Sequence, residues 1–557
     1  MYRACVTALL PLLGAELHAR PTADWVRSAV IYEINTRTFS AKGDFRGVEA
    51  RLPELEKLGV TILWLMPIHP IGEVKRKGTF GSPYSIRDYY AIEPSYGTAT
   101  DLKSLVHAAH ARGFKIIIDI VANHTSWDSV LMKHPEFYKH DAQGNVISPN
   151  PGWDDVAGLD FGNRAVRTYM IDMLKYWLRE FDLDGFRCDV AFLPPADFWE
   201  DARRDLEKVK PDIVMLAEAH EPALMVNAFD LDYAWPFYKT LAAVFTGGAP
   251  ATALRESWEQ ERARFPKGAL EMRFTDNHDE RRAIARFGER GALAAAALVF
   301  TMDGVPLLYN GMEVGDTAES AGGALFEKLS VFWGSAGFRP EYPKFFAQTI
   351  ALRRAHAALQ QGETHWIGNS DAARIVTFTR TGGGEEFLIA VNCSNQPFVG
   401  TVESGRGFEE VTPGATPLPA LSLDAWGFRI FKKAGEPWSA GELIKPETLA
   451  AELTKDGRVV LHVGFLALYK GAHIAGSQYA GPGSKPAGLD ALRAAVKATP
   501  HDREIVIYCG CCPWDHCPNI RPAYALLREL GFSHIRVLMI PENMHTDWVA
   551  KGYPVSR

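Results

Sequence analysis

Gly185-Phe186-Arg187-Cys188-Asp189 is a short β-forming stretch that ends in charge. Strand side chains alternate faces, so Arg187 and Asp189 share one face and Cys188 points the other way as a small buried hydrophobe. An amphipathic helical pattern over 165–180 precedes this stretch, and an apolar run over 214–219 follows it and carries Glu218. The same parity turns Glu218 inward and packs Ala217 and Ala219 outward. Upstream, 115–121 leads into Asp119-Ile120-Val121-Ala122-Asn123-His124; downstream, 270–275 leads into Phe274-Thr275-Asp276-Asn277-His278-Asp279. With 29–34, 62–67, 185–190, 229–235 and 305–309, eight candidate strands alternate with helical patterns such as 101–112 and 292–301. The strands read as nearly continuous apolar runs, as strands buried on both faces do. This order predicts an α/β fold built on a TIM (β/α)8 barrel over 20–364.

Beyond His124 the chain runs through Trp127, Pro135, Asn145, Pro149 and Pro151 before its next helix, which reads as a short lid inserted over the barrel mouth. From 365 to 433 alternating runs bounded by Gly-rich turns predict a small β-sandwich. A Gly-, Pro- and Ser-containing linker is expected over 434–445, then a separate α/β domain over 446–557. Its strands are expected at 458–463 and 504–508, and its helices at 489–498 and 521–530.

The 557 residues are 47% hydrophobic and 23% charged, an ordinary soluble globular composition. A net charge of −7 without a basic stripe argues against a nucleic-acid partner. No apolar run reaches the roughly 18–20 residues of a membrane span. Residues 1–19 have the outline of a secretory signal peptide: Arg3, an apolar stretch over 4–15, and Ala19 as a small residue for cleavage. A secreted or periplasmic location follows from that reading, and a cytoplasmic one if the segment is a buried first helix. Of 7 cysteines, Cys509, Cys511, Cys512 and Cys517 crowd together, which is a local thiol cluster rather than a disulfide framework.

Barrel enzymes place catalytic groups at the C-terminal ends of strands. Asp189, Glu218 and Asp279 therefore converge on one mouth, with Arg187 beside them. Glycoside hydrolysis needs such a set: one ionised carboxylate to attack the anomeric carbon, and one protonated carboxyl for the leaving oxygen. A separation of about 5–5.5 Å between them permits a covalent intermediate. Burial and a neighbouring anion raise the acid, while an arginine keeps the nucleophile ionised.

These segments, in this order and with 59–67 and 304–313, resemble the α-amylase family (glycoside hydrolase family 13) over 25–431. The resemblance implies that Asp189 is the nucleophile, Glu218 the general acid/base and Asp279 the third carboxylate. It implies substrate contacts from Tyr84, His124, Arg187, Asn277 and His278, with Arg187 orienting Asp189. The expected substrate is an α-1,4-glucan or maltooligosaccharide, and no cofactor is required. Asn123 and Asp160 match family positions that can supply oxygens to calcium. Where many amylases carry Lys or His after the nucleophile, this chain has Ala191-Phe192-Leu193.

The strand 504–508 runs into Cys509, and a helix follows from Arg521. With His473-Ile474-Ala475-Gly476-Ser477 and the ending 548–555, this part resembles a rhodanese (sulfurtransferase) domain. In that family the cysteine after this strand carries a persulfide, and Cys509 holds the position. The longer loop leaves Cys511 or Cys512 as alternatives, and a metal site using these thiols with His516 as another. A family transglycosylase, a sulfurtransferase-dominated function and a non-catalytic sugar-binding barrel are the remaining readings.

Overall fold

The computed structural model describes residues 17–404, 407–412, 418–433, 438–453, 457–514 and 517–556. The signal-peptide expectation falls mostly outside them; of that segment, only Leu17, His18 and Ala19 are described. His18 forms a parallel bridge with Lys267. His516 also lies outside the described residues.

Ten strands make up the N-terminal part: β1 (Ile31–Ile34), β2 (Ile62–Leu65), β3 (Lys115–Ile120), β4 (His124–Ser126), β5 (Val156–Gly158), β6 (Gly185–Cys188), β7 (Val214–Ala217), β8 (Leu231–Tyr233), β9 (Glu271–Arg273) and β10 (Val305–Tyr309). Eight of them close a parallel barrel in the order β1-β2-β3-β6-β7-β8-β9-β10. The exceptions, β4 and β5, pair antiparallel as a ribbon within the predicted lid. The strands are shorter than the sequence reading: β8 and β9 keep three residues each. Apolar runs continue past the ladder because loop residues at the barrel ends are buried too.

The barrel interior is packed by Ile31, Ile62, Trp64, Ile117, Val214, Leu216, Leu231, Tyr233, Met272, Val305 and Leu307. These are every second residue of their strands, which fixes the parity of all the others. Asp119 pairs in register with Arg187, so both face inward, while Cys188 is fully buried on the helix side. At Gly185, φ is +149°, and a Cβ would lie 1.8 Å from the Val214 carbonyl oxygen. Only glycine lets β6 and β7 approach there.

Seven strands follow: β11 (Glu363–Trp366), β12 (Ile375–Gly382), β13 (Glu385–Asn392), β14 (Phe398–Thr401), β15 (Phe408–Glu410), β16 (Ala420–Leu423) and β17 (Phe428–Lys433). They form an antiparallel five-stranded sheet, β11-β12-β13-β17-β15, and the pair β14-β16. Because β11 begins at Glu363, the expected boundary at 364/365 falls inside a strand. One face of this region joins the barrel's outer core through Phe378, Phe387, Ile389 and Ile430. Arg380, fully buried, donates to the Thr301 carbonyl at 2.7 Å across that junction.

The C-terminal unit contains β18 (Leu443–Ile444), β19 (Arg458–His462), β20 (His473–Ile474), β21 (Gln478–Tyr479), β22 (Glu504–Tyr508), β23 (Ile535–Leu538) and β24 (Val555–Ser556). Its parallel sheet runs β18-β23-β22-β19-β21, with apolar clusters on both faces. The linker expected over 434–445 is therefore shorter. Leu443 and Ile444 pair with Val537 and Leu538, an apolar edge hidden among Gly, Pro and Ser.

Among the described residues, no helix is long and apolar enough to cross a membrane.

Candidate active site

The ladder between β6 and β7 continues past their last residues. Glu218 N–H donates to the Cys188 carbonyl and Ala191 N–H to the Glu218 carbonyl, both at 3.0 Å. Asp189 and Glu218 are thus held on adjacent strand ends, with inward parity.

Arg187 ties the carboxylates together. Its Nη1 donates to Asp119 Oδ1 and to Asp189 Oδ1 at 2.9 Å each. Its Nη2 lies 2.9 Å from Glu218 Oε2, an ion pair without hydrogen-bond alignment. The guanidinium is fully buried and ringed by Trp64, Tyr84 and Tyr233 at 5.2–5.7 Å from the ring centroids. Glu218 Oε2 also accepts from Val190 N–H at 2.8 Å. Val190 has φ of 38°, a left-handed conformation that is costly for a β-branched residue and places this donor.

Burial pushes Asp189 up to about 6, opposed by Arg187 and reinforced by Asp119 and Asp279. Burial pushes Glu218 further, to about 8; Arg187 again opposes, and Asp189 and Asp279 add to the rise. The two carboxyls are thereby separated in the direction that acid and nucleophile roles require.

On the other side, His278 Nδ1 is bonded to Glu33 Oε1, and its Nε2 lies 2.6 Å from the Tyr84 hydroxyl and 3.1 Å from Asp279 Oδ2. Burial opposes a charge on His278, but Asp279 and Glu33 outweigh it and hold the imidazole protonated. Asp279 is reciprocally held below the usual carboxylate range: burial opposes its charge, and His278 prevails. Its side chain is 42% exposed toward the cleft. Tyr84 stacks on His278 and donates to Asp119 Oδ2 at 3.1 Å. Burial lowers His124 to about 4, so its ring is neutral.

The cleft has a volume of about 340 Å³ and is lined by Tyr84, His124, Asp189, Glu218, His278 and Asp279, with Trp153, Asp155 and Val156 from the lid and Lys77 from the loop after β2. Two residues expected to contact substrate do not line the cleft. Arg187 reaches carboxylates rather than the cleft. Asn277 is fully buried, and its Oδ1 accepts the Asp279 and Glu280 amides at 3.0 and 3.1 Å. It fixes the turn that aims Asp279.

Glu33, Asp119, Trp64 and Tyr233 belong to the site without having been singled out. Glu33 and Asp119 are lone acids inside apolar strands, a signal the sequence does carry. Trp153 and Asp155 sit in an aperiodic insertion that offered none.

For calcium, Asp160 Oδ1 accepts the Gly162 amide at 2.9 Å, the Asn123 carbonyl accepts from Leu159 at 3.0 Å, and the Asn123 amide faces His124. Calcium takes 6–8 oxygens, and this pair does not furnish such a set.

In the C-terminal unit, β22 delivers Cys509 to a loop that ends at the helix Ile520–Glu529. Cys511 Sγ is 3.1 Å from Cys509 Sγ and 3.9 Å from Cys517 Sγ. Hydrogen bonding from Cys511 and Cys517 lowers Cys509 to about 4 against the opposing effect of burial, and both donors are raised in turn. None of the described cysteines forms a disulfide.

A (β/α)8 barrel whose mouth gathers Asp189 and Glu218 on one buried arginine, with Asp279 across the cleft, has the arrangement of a glycoside-hydrolase type of protein. The chain belongs to the α-amylase family: the model of the alpha amylase catalytic domain matches residues 24–145 and 152–328. Alpha-amylase MalA of Haloarcula japonica is 29% identical over 430 residues, covering 72% of this chain and 61% of that protein. An alpha-amylase structure from Lactobacillus plantarum is 31% identical with a TM-score of 0.67, over 74% of this chain and all of that one. The maltogenic alpha-amylase AmyB of Thermotoga neapolitana is 31% identical with a TM-score of 0.65, over 73% and 96% of the two chains. The chain thus spans less than two thirds of the length of the Haloarcula relative.

Proposed function

We propose that the barrel is a retaining hydrolase of α-1,4-glucans or maltooligosaccharides. The observation that carries this reading is the shared Arg187 between Asp189 and Glu218, with Glu218 the more strongly raised. Glu218 gives its proton to the glycosidic oxygen as Asp189 attacks the anomeric carbon; the bond to the leaving sugar breaks, and a glycosyl ester forms on Asp189. Glu218, now ionised, takes a proton from water, which hydrolyses the ester with net retention. Asp279, kept ionised by His278, accepts hydrogen bonds from sugar hydroxyls, and Tyr84 offers its ring as a platform. The chemistry calls for no organic cofactor. The amylases among its relatives support an α-glucan substrate.

Product analysis on maltoheptaose, with Asp189→Asn as control, tests this. Shorter maltooligosaccharides with initial α-anomers are expected. Initial β-anomers would overturn retention, products longer than the substrate would move the reading to transglycosylation, and cleavage by a folded Asp189→Asn would remove the nucleophile assignment.

We infer that the C-terminal unit is rhodanese-like, with Cys509 as its sulfur-carrying thiol. The observation behind this is a buried thiol at the end of the central strand β22, in contact with Cys511 Sγ and the Asn519 amide, in the loop that leads to the helix Ile520–Glu529. Thiosulfate:cyanide sulfur transfer that Cys509→Ser abolishes would support it, and transfer that survives would end it. We also propose export through the N-terminal segment; intact mass of the mature protein from a secreting host tests cleavage near Ala19.

A further inference from the structure

The thiol loop has features that a single sulfur-carrying cysteine does not need. Gly510, at φ +78°, turns the chain so that Cys509 and Cys511 fall on the same side. A Cβ there would meet Met544 at 2.8 Å. At Gly464 a Cβ would lie 2.7 Å from Cys509 Sγ, so glycine opens the space in which that sulfur sits. Cys517 comes back from the far end of the loop, and the sulfurs of Cys509, Cys511 and Cys517 all lie within 4.8 Å of one another.

A cation bonded at about 2.3 Å to each of three thiolates holds its sulfurs roughly 3.8–4 Å apart. The 3.9 Å between Cys511 and Cys517 is already that spacing, and the 3.1 Å between Cys509 and Cys511 needs only a small opening. Outer support is present as well. Asn519, fully buried, donates from Nδ2 to Cys509 Sγ at 3.3 Å and lies 4.0 Å from Cys517 Sγ. Its Oδ1 accepts the Ser484 amide at 3.0 Å, which fixes the orientation of the side chain. Donors of this kind orient metal-bound sulfur. Cys509 and Cys517 are buried, and Cys511 is exposed and gives a route of entry.

We propose that Cys509, Cys511 and Cys517 bind one soft, thiophilic cation, three-coordinate copper(I) being the best match to a trigonal thiolate set. Binding releases the thiol protons to solvent and changes no oxidation state. Cys512 Sγ, 3.2 Å from Cys511, is placed to serve as the fourth thiolate if the cation is zinc(II). Occupancy would take Cys509 out of sulfur transfer, so this inference goes beyond the rhodanese reading and does not depend on it.

The test uses the reduced full chain under anaerobic conditions, titrated with copper(I) or zinc(II) against a chromophoric chelator. One equivalent is expected to bind, with thiolate-to-metal absorption in the near ultraviolet rising in step. Cys511→Ser and Cys517→Ser should each lose at least tenfold in affinity, while Cys393→Ser, a buried thiol elsewhere, keeps it. In the unmutated chain, one equivalent of metal should protect Cys509, Cys511 and Cys517 from alkylation mapped by mass spectrometry. That measurement stands even if a variant fails to fold. Undiminished alkylation of the three thiols, or no stoichiometric binding of either metal, would overturn the proposal.

Discussion

The backbone N–H of Val190 donates to Oε2 of Glu218 at 2.8 Å, and Arg187 Nη2 faces the same oxygen at 2.9 Å. With Oε2 occupied, the acidic proton belongs on Oε1. The residue that follows the nucleophile therefore orients the acid, and its left-handed backbone is the local strain that this requires. Glu218→Gln should lower kcat on maltooligosaccharides by about 10²–10⁴-fold, the range of general acid catalysis. α-Glucosyl fluoride, whose leaving group needs no protonation, should lose far less in the glycosylation step. Equal losses on both substrates would mean that Glu218 is not the acid.

The protonation states set a pH profile. Activity needs Asp189 ionised, so it falls as pH drops through about 6; it needs Glu218 protonated, so it falls as pH rises through about 8. The limbs belong to the coupled pair. Asp279 contributes to the rise of Glu218, so Asp279→Asn should move the alkaline limb of kcat/KM to lower pH in whatever activity remains. An alkaline limb that stays in place, or moves up, would contradict the charge coupling.

The lid is tied to the loop after β2 by Lys77. Its ammonium is 2.8 Å from Asp155, 3.0 Å from Asp154 and 3.0 Å from the Gly152 carbonyl. Lys75 adds a cation over Trp127 at 3.7 Å. Asp154 is exposed and Asp155 is buried, so the Lys77–Asp155 pair carries most of this contact. Lys77→Met should raise KM for maltooligosaccharides by roughly fivefold, the equivalent of about 1 kcal/mol. kcat should change less than twofold if the lid holds substrate rather than assists chemistry. A large fall in kcat at constant KM would assign Lys77 to the reaction instead.

Much of this site was legible in the sequence because a strand has period two. Once Arg187 and Asp189 share a face, the register of β6 with β7 places Glu218 on the adjacent strand end; Asp279, in the loop after β9, was legible from the order of the segments and not from parity. Asn277 sits in a loop, where parity gives no orientation, and its side-chain oxygen accepts the Asp279 amide within the turn. Trp153 and Asp155 were missed for the same reason, since only tertiary closure brings the insertion over the mouth. Leu443 and Ile444 were read as linker because a two-residue edge strand is too short to show alternation. In the thiol loop, spacing showed a cluster, but which sulfurs meet depends on the Gly510 turn.

The approach of β6 to β7 makes the last prediction, one about the frame rather than the chemistry. Gly185 combines φ of +149° with a Cβ position 1.8 Å from the Val214 carbonyl. Gly113 also has a positive φ, +81°, but open space around its Cβ position. Gly113→Ala therefore carries only the conformational term, about 1–2 kcal/mol, and should leave a folded, active enzyme with a slightly lower Tm. Gly185→Ala adds a collision with backbone that cannot swing aside. It should cost more than about 4 kcal/mol, the range reached when a named packing mechanism fails. Because the displaced strand carries Arg187 and Asp189, any folded fraction should also lose glucan cleavage. Thermal unfolding of the two variants side by side separates the effects. Similar small shifts in both would show that β6 and β7 can part without harm, and that the spacing of Asp189 and Glu218 is set elsewhere.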